Sequence, residues 1–134
     1  MSEENVDLIR RVNEAWAAHD MDALLDLHHR DVEIVVLRSK IEGPFLGHRG
    51  LRRMAAEVFD HHLEFRYDEL RDCGDRVLVL GRQNGEVRGL PWDHTLIEVY
   101  EIVDGKVARL EAFETVEEAL EAVAMAAGPG EPSP

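Results

Sequence analysis

Residues 92–104 of this 134-residue chain read Trp-Asp-His-Thr-Leu-Ile-Glu-Val-Tyr-Glu-Ile-Val-Asp, and the architecture follows from this run. Successive side chains of a β-strand point to opposite faces, so the run divides into two sets. One face mixes aromatic, ionisable and apolar groups and carries Trp92, His94, Leu96, Glu98, Tyr100 and Ile102. The other face carries Ile97, Val99 and Val103. A strand with apolar groups on both faces predicts a sheet that is covered on both sides.

Strand-like sequence continues on both sides of this run, from about residue 63 to residue 114. The glycine–aspartate pairs at 74–75 and 104–105 are typical of hairpin turns. A further turn falls in the interval 84–91, where Asn84-Gly85 competes with Gly89-Leu90-Pro91. These signals predict four successive antiparallel strands.

The N-terminal half has helical spacing instead. Apolar residues recur every three or four positions over 3–18, and Asp20 is typical of the N-cap of a second, short helix. A break is predicted at 28–31 and a strand at about 32–38. After a loop rich in glycine and proline, the apolar positions of 51–59 predict a third helix.

The C-terminal end predicts one more helix and a tail. Thr115 and Glu118 have capping-box spacing and predict a helix over 116–126. Residues 127–134 are rich in glycine and proline and are predicted to be disordered, which leaves a single domain over 1–126. Consecutive strands without crossover helices exclude a doubly wound parallel sheet, so the fold class is α+β, with a curved antiparallel sheet wrapped around the N-terminal helices.

Composition excludes several classes of function. The net charge of −13 repels phosphate backbones and anionic lipid, so neither nucleic acid nor a membrane is a predicted partner. No secretion signal or membrane-length apolar run is present, which favours the cytoplasm. The single cysteine, Cys73, lies in a turn-like run without a partner base, and the histidines lack metal-ligand spacing. No metal and no cofactor are therefore predicted.

Five segments resemble the nuclear transport factor 2-like superfamily, and its SnoaL-like branch most closely. They are Asp-Met-Asp-Ala-Leu-Leu at 20–25, His-Arg-Asp-Val-Glu at 29–33, Gly-Pro-Phe-Leu-Gly-His-Arg-Gly-Leu-Arg-Arg at 43–53, Gly-Asp-Arg-Val at 74–77 and Asp-Gly-Lys-Val at 104–107. The resemblance covers about residues 4–124. It implies a cone-shaped α+β barrel, usually dimeric, with a deep pocket that hosts isomerases, dehydratases, cyclases, epoxide hydrolases and non-catalytic binders.

Most positions that are catalytic in these relatives carry a residue here that cannot transfer a proton. The resemblance implies an aspartate on the last strand of the cyclases and epoxide hydrolases, and this chain has Ala112 there. It implies a base and an oxyanion-hole tyrosine in ketosteroid isomerases, and the matching positions are Val36 and Val12. One acid does match, because relatives place a carboxylic residue seven positions before the hairpin glycine, which is Glu98.

Glu98 is therefore the main catalytic candidate, with His94 on the same face as the second. Burial raises the pKa of a carboxyl group, so a pocket-facing Glu98 is able to donate a hydrogen bond to a carbonyl or to exchange protons. The alternative is that Glu98 reaches solvent or pairs with an arginine. His94 lies roughly 13 Å along the strand from Glu98, too far for a dyad.

The candidate ligand-binding residues are Trp16, Val36, Arg38, Phe45, Trp92, Tyr100, Leu110 and Ala112. Five of them have a structural alternative: the tryptophans and Tyr100 as core, Arg38 as a solvated strand end, and Phe45 as a loop anchor. Two functions remain open. The first is a pocket protein that binds a small molecule, with or without catalysis, and the second is a cofactor-independent isomerase, cyclase or hydro-lyase that uses Glu98 as acid or base. The apolar second face of the sheet predicts a homodimer formed through it.

Overall fold

The structure is a computed structural model that describes the backbone of residues 2–127 and the side chains of residues 3–124. Its helices are α1 (Ser2–Ala17), α2 (Met21–Leu27), α3 (Ser39–Glu42), α4 (Gly47–Asp60) and α5 (Val116–Ala127). Its strands are β1 (His28–Val35), β2 (Phe45–Leu46), β3 (Glu64–Asp72), β4 (Arg76–Val87), β5 (Leu90–Val103) and β6 (Lys106–Ala112). The predicted tail lies outside the described residues except for Ala127, which ends α5.

The six strands form one curved sheet in the order β2-β1-β6-β5-β4-β3, which is not closed. The α+β class and the curved sheet over N-terminal helices are confirmed, but the sheet is mixed. β1 runs parallel to β6, with Ile34 opposite Leu110, and the prediction of a purely antiparallel sheet was wrong in this place. Two strands that a short hairpin turn connects must run antiparallel. β1 and β6 are far apart in the sequence, so no hairpin turn fixes their relative direction.

Local boundaries differ from prediction near β1. The predicted break at 28–31 is already strand, because α2 ends at Leu27 and His28 adopts extended backbone angles while its N–H caps the helix on Leu25. The Asp20 cap is confirmed, since its Oδ1 accepts from the N–H of Ala23 at 3.0 Å. The short helix α3 was not predicted, and α4 begins four residues before the predicted third helix.

The hairpin between β4 and β5 turns at Arg88-Gly89. Both residues have positive φ, 54° and 79°, which a tight hairpin turn requires. The competing pair Asn84-Gly85 lies within β4, where it pairs with residues of β5. Of the two competing turn positions in the sequence, the one at Gly89 is confirmed.

The inner face of the sheet packs against α1, α2 and α4. Buried groups from β4 and β5 meet the apolar side of α1 in one cluster that includes Val77, Val79, Tyr100, Ile9 and Trp16. Each buried aliphatic side chain in such a core stabilises the fold by about 1.5–3 kcal/mol relative to exposure. The helices therefore hold the inner face of β5 away from water from Leu96 to Ile102.

The outer face is covered at least in part by α5. Ala119 of this helix packs against Leu78, Ile97 and Val99 in a second, smaller cluster. The predicted capping box turns the chain back over the sheet, since the Thr115 hydroxyl accepts from the N–H of Glu118 at 3.1 Å. The sequence interpretation assigned this cover to a partner subunit because it placed all helices on the other face. That assignment was wrong for Ile97 and Val99, which the chain's own helix buries.

No helix among residues 2–127 is both long enough and apolar enough to cross a membrane.

Candidate functional site

Glu98 lies in the middle of β5 on the inner face of the sheet. It pairs with Val79 of β4 on one side and Ala112 of β6 on the other. Its side chain is only 7% exposed, and no arginine, lysine or histidine of the described residues forms an ion pair with it. Within the described part of the chain, Glu98 is therefore neither exposed to solvent nor paired with an arginine.

Glu98 is hydrogen-bonded to Tyr100, which is hydrogen-bonded in turn to Tyr67. The Tyr100 hydroxyl donates to Glu98 Oε1 at 3.2 Å, and the Tyr67 and Tyr100 hydroxyl oxygens lie 2.6 Å apart. These are the two tyrosines of the whole sequence. Tyr100 is 1% exposed and Tyr67 is half-buried at the margin of the core. The result is a hydrogen-bonded polar cluster inside an otherwise apolar interior.

Burial sets the proton affinity of this cluster. Desolvation raises the pKa of Glu98 from its ordinary 4.5 to about 7, partly opposed by the hydrogen bond from Tyr100. Burial, followed by the charge of Glu98, raises the pKa of both Tyr67 and Tyr100 well above 10. Near neutral pH, Glu98 therefore exists in both protonation states, and is able to donate a hydrogen bond in one state and accept a proton in the other.

Tyr67 was not identified as a site residue from the sequence. The alternation of Phe65 and Tyr67 places both on one face of β3, but it does not say which strand lies beside β3 or in what register. The structure pairs Tyr67 with Gly81 of β4 and brings its hydroxyl across β4 to Tyr100. The only signal in the sequence was the alternation that places Tyr67 on the same strand face as Leu63 and Phe65.

His94 and Trp92 lie away from Glu98. Both are on the part of β5 that extends beyond the helices, where His94 is exposed and Trp92 is 36% exposed. Their rings are 4.1 Å apart, and the Trp92 indole N–H donates to Gln83 Oε1 at 3.2 Å. The structure does not bring His94 together with Glu98.

Arg38 and Phe45 form a separate cluster beside α4. The Arg38 guanidinium pairs with Glu57 of α4 and lies 5.3 Å from the centre of the Phe45 ring. Arg53 lies 4.9 Å from the same ring, which is itself buried. The ion pair directs Arg38 to α4, and Phe45 anchors the strand β2 in the core.

The remaining predicted ligand-binding residues line the inner face or its core. Trp16 packs edge-on against Phe65, with ring centres 5.1 Å apart. Leu110 lies opposite Tyr100 and is buried, while Ala112 lies opposite Glu98 and is half-buried. Val36 packs against the same cluster from the end of β1. Leu110 and Ala112 therefore neighbour the polar cluster directly, and Trp16 and Val36 belong to the core around it.

Two openings in the described surface lie elsewhere. A groove of about 540 Å³ separates the start of α1 from the β5–β6 turn and is lined by residues such as Asn5, Arg11 and Asp104. A smaller one of about 90 Å³ lies beside α5 and is lined by Val99, Phe113 and the neighbouring charged residues. Neither is lined by Glu98. We place the candidate site at the Glu98 cluster because, among residues 3–124, only there is an ionisable acid buried against hydroxyl donors.

Outside the Glu98 cluster, His28 is a buried titratable residue, and its contacts are structural. His28 is 1% exposed, and its Nδ1 contacts the Leu24 carbonyl oxygen at 2.7 Å, which ties the end of α2 to the start of β1. Burial lowers its pKa to about 4, so the ring is neutral at physiological pH. Among the described residues, no group of three or more histidine, cysteine, aspartate or glutamate side chains is arranged to hold a metal ion.

Solved structures share this fold at low identity. TerC, co-crystallised with polyporic acid, is 24% identical, with 90% of this chain and 98% of TerC covered and a TM-score of 0.73. A candidate polyketide cyclase from Sinorhizobium meliloti is 24% identical, with 84% and 99% covered and a TM-score of 0.69. A nuclear transport factor 2-like protein of unknown function from Burkholderia pseudomallei is 21% identical, with 90% and 97% covered and a TM-score of 0.74. The comparison with curated proteins finds no match.

The SnoaL-like domain family matches residues 9–110, which include α1 from Ile9 onward, the whole of β5 and the three residues of the polar cluster. The order of helices and strands and the curved sheet agree with the nuclear transport factor 2-like structures. The chain therefore belongs to the SnoaL-like domain family, within the nuclear transport factor 2-like fold.

Proposed function

We propose that this protein binds a small, largely apolar molecule that carries a carbonyl group, with Glu98 as its polar anchor. The observation that carries the proposal is a buried carboxyl group whose one described partner is a tyrosine hydroxyl. A carboxyl group in apolar surroundings costs the fold stability, and acids with perturbed pKa values concentrate at functional sites. The side chains around Glu98 on the inner face are apolar, which favours a ligand that is otherwise apolar.

A cofactor-independent isomerase, cyclase or hydro-lyase is the second candidate. It is favoured by the pKa of Glu98, which near 7 suits an acid or base that must both hold and release a proton. It is disfavoured by Val12, Val36 and Ala112, which occupy the positions where relatives have proton-transfer groups. We therefore put binding first.

The test is a binding titration at two pH values. Carbonyl-bearing aromatic compounds, with polyporic acid among them, are titrated calorimetrically into wild type, Glu98→Gln and the control Glu86→Gln, whose exposed side chain lies on β4. If protonated Glu98 donates to the ligand, affinity falls about tenfold from pH 6 to pH 8, because the protonated fraction falls from about nine tenths to one tenth. The fall is expected in Glu86→Gln and absent in Glu98→Gln.

The outcomes separate the two candidates. An equal pH dependence in Glu98→Gln and wild type would show that another group recognises the ligand and would overturn the proposal. Unchanged affinity with loss of product formation in Glu98→Gln would favour the catalytic candidate, because only the proton transfer would then need the carboxyl group.

We also propose a two-fold homodimer through the apolar surface that α5 leaves open. Val103 at the end of β5 and Leu120 on α5 remain 42% and 44% exposed. Sedimentation velocity at micromolar concentration should show a dimer in wild type and a weakened dimer in Leu120→Glu, because a charge would be buried without a partner. A monomeric wild type would contradict this. Location in the cytoplasm stays a prediction from the sequence.

A further inference from the structure

The hydroxyl groups of Tyr67 and Tyr100 meet across an intervening strand. Tyr67 is on β3 and Tyr100 on β5, with β4 between them. Tyr67 pairs with Gly81 of β4, where no side chain stands between the ring and the inner surface. The two rings are tilted, with centres 6.2 Å apart, and their oxygens are 2.6 Å apart. This distance is that of a strong O–H···O hydrogen bond.

When Glu98 is ionised, the two hydrogen bonds of this cluster run in one direction, from Tyr67 to Tyr100 to Glu98. A carboxylate only accepts hydrogen bonds, so the Tyr100 proton points to Glu98 Oε1. The Tyr100 oxygen is then free to accept, and the Tyr67 hydroxyl is the donor within reach. The opposite direction requires a proton on Glu98 Oε1 and leaves the Tyr67 proton without an acceptor among the described side chains.

We propose that Tyr67 is a positioning residue, which holds the Tyr100 hydroxyl with its proton directed at Glu98 Oε1, both when Glu98 is ionised and when its proton is on the second carboxyl oxygen, and leaves that second oxygen to the ligand. The proposal deepens the proposed function, since it rests on Glu98 as the ligand anchor. Tyr67 acts through Tyr100 and does not itself contact Glu98 by a described hydrogen bond. Donation to Tyr100 also polarises the Tyr100 hydroxyl and makes it a better donor.

Among the residues whose side chains are described, Tyr100 is the group that forms a hydrogen bond with Glu98, and none forms an ion pair with it. β4 presents Val79 beside it and β6 presents Ala112. The helices that face this side contribute apolar residues to the inner cluster, such as Trp16 and Met54. His94 is the next ionisable group on the same face of β5, and it is exposed. The two tyrosines are thus the polar environment to which Glu98 responds.

The test is a double-mutant cycle on the pKa of Glu98 in the unliganded protein. The carboxyl carbon is followed by NMR during pH titration of wild type, Tyr67→Phe, Tyr100→Phe and the double variant. Loss of a hydrogen bond to the charged form should raise the pKa by about one pH unit in Tyr100→Phe. Tyr67→Phe should raise it by about 0.3, the fraction that cooperative strengthening supplies. In the double variant, Tyr67→Phe should add nothing to Tyr100→Phe.

Phe65→Leu is the control for packing, because it removes a ring from the same face of β3 without touching a hydrogen bond. It should leave the pKa of Glu98 unchanged. An unchanged pKa in Tyr67→Phe, or an equal rise with and without Tyr100, would overturn the positioning role. A second measurement uses wild type alone: the ring carbon bearing the Tyr67 hydroxyl should titrate with the midpoint of Glu98, and no response would contradict the proposal.

This test is independent of the ligand. Failure of the positioning role leaves the pH-dependent binding experiment with Glu98→Gln to stand on its own result. If that binding experiment failed, Glu98 would lose its proposed role as ligand anchor. The hydrogen-bond coupling between Tyr67 and Glu98 would still be measured.

Discussion

Gly81→Ala is expected to destabilise the protein by about 3 kcal/mol or more, because β3 lies too close to accept a Cβ atom. A Cβ built at Gly81 would be 1.9 Å from the carbonyl oxygen of Arg66 and 2.9 Å from its carbonyl carbon. Both are backbone atoms, so no side chain is able to rotate away. The pairing of β3 with β4 has an irregularity between Tyr67 and Glu69, and Gly81 lies opposite its start.

Gly89→Ala is the matched control. Gly89 is the second residue of the β4–β5 turn, with φ of 79°, and a Cβ there would meet no heavy atom within 4 Å. Its cost is backbone strain alone, about 1–2 kcal/mol. Urea unfolding of the three proteins measures the difference. If Gly81→Ala proved as stable as Gly89→Ala, the close approach of β3 and β4 would be wrong, and with it the register that brings Tyr67 to Tyr100.

Glu98→Gln is expected to make the protein more stable than wild type at pH 8 by up to about 3 kcal/mol. Folding raises the pKa of Glu98 from 4.5 to about 7, so the folded state holds this proton more tightly than the unfolded chain. The stability that it contributes is present below pH 4.5 and is lost as pH rises through 7. A glutamine has no proton to lose, and its carbonyl oxygen still accepts from Tyr100.

Thermal or urea unfolding at pH 4.5 and pH 8 measures this effect, with Glu86→Gln as a control on an exposed glutamate of β4. Wild type and Glu98→Gln should be closest in stability at pH 4.5 and differ most at pH 8. Glu86→Gln should follow wild type at both. A stability difference between Glu98→Gln and wild type that is the same at both pH values would mean that Glu98 does not change its pKa on folding.

Much of the inner face was predictable because it depends on strand alternation alone. The two faces of β5 were assigned from the run 92–104, and that periodicity placed Glu98 and Tyr100 on the inner face. Exposure of His94 and Trp92 did not follow, since alternation gives the face and not how far the helices extend along it. The hairpin simply continues beyond α1 and α4.

Features that depend on contacts between distant parts of the chain were not predictable. Tyr67 joins the cluster through the register of β3 on β4, and β1 joins β6 in parallel from the other end of the sequence. The packing of α5 on the outer face had a local signal in Thr115 and Glu118, which predicted the helix and its start. Nothing local says which face of the sheet such a helix covers.

The most direct test of the account is an NMR pH titration of the Glu98 carboxyl carbon in wild type, with the resonance assigned by its disappearance in Glu98→Gln. We expect a midpoint near pH 7, because the carboxyl group is buried on the inner face with a tyrosine hydroxyl as its described partner. A midpoint at the ordinary value of 4.5 would contradict it, since Glu98 would then be solvated in the folded protein and unable to act as a protonated anchor at neutral pH.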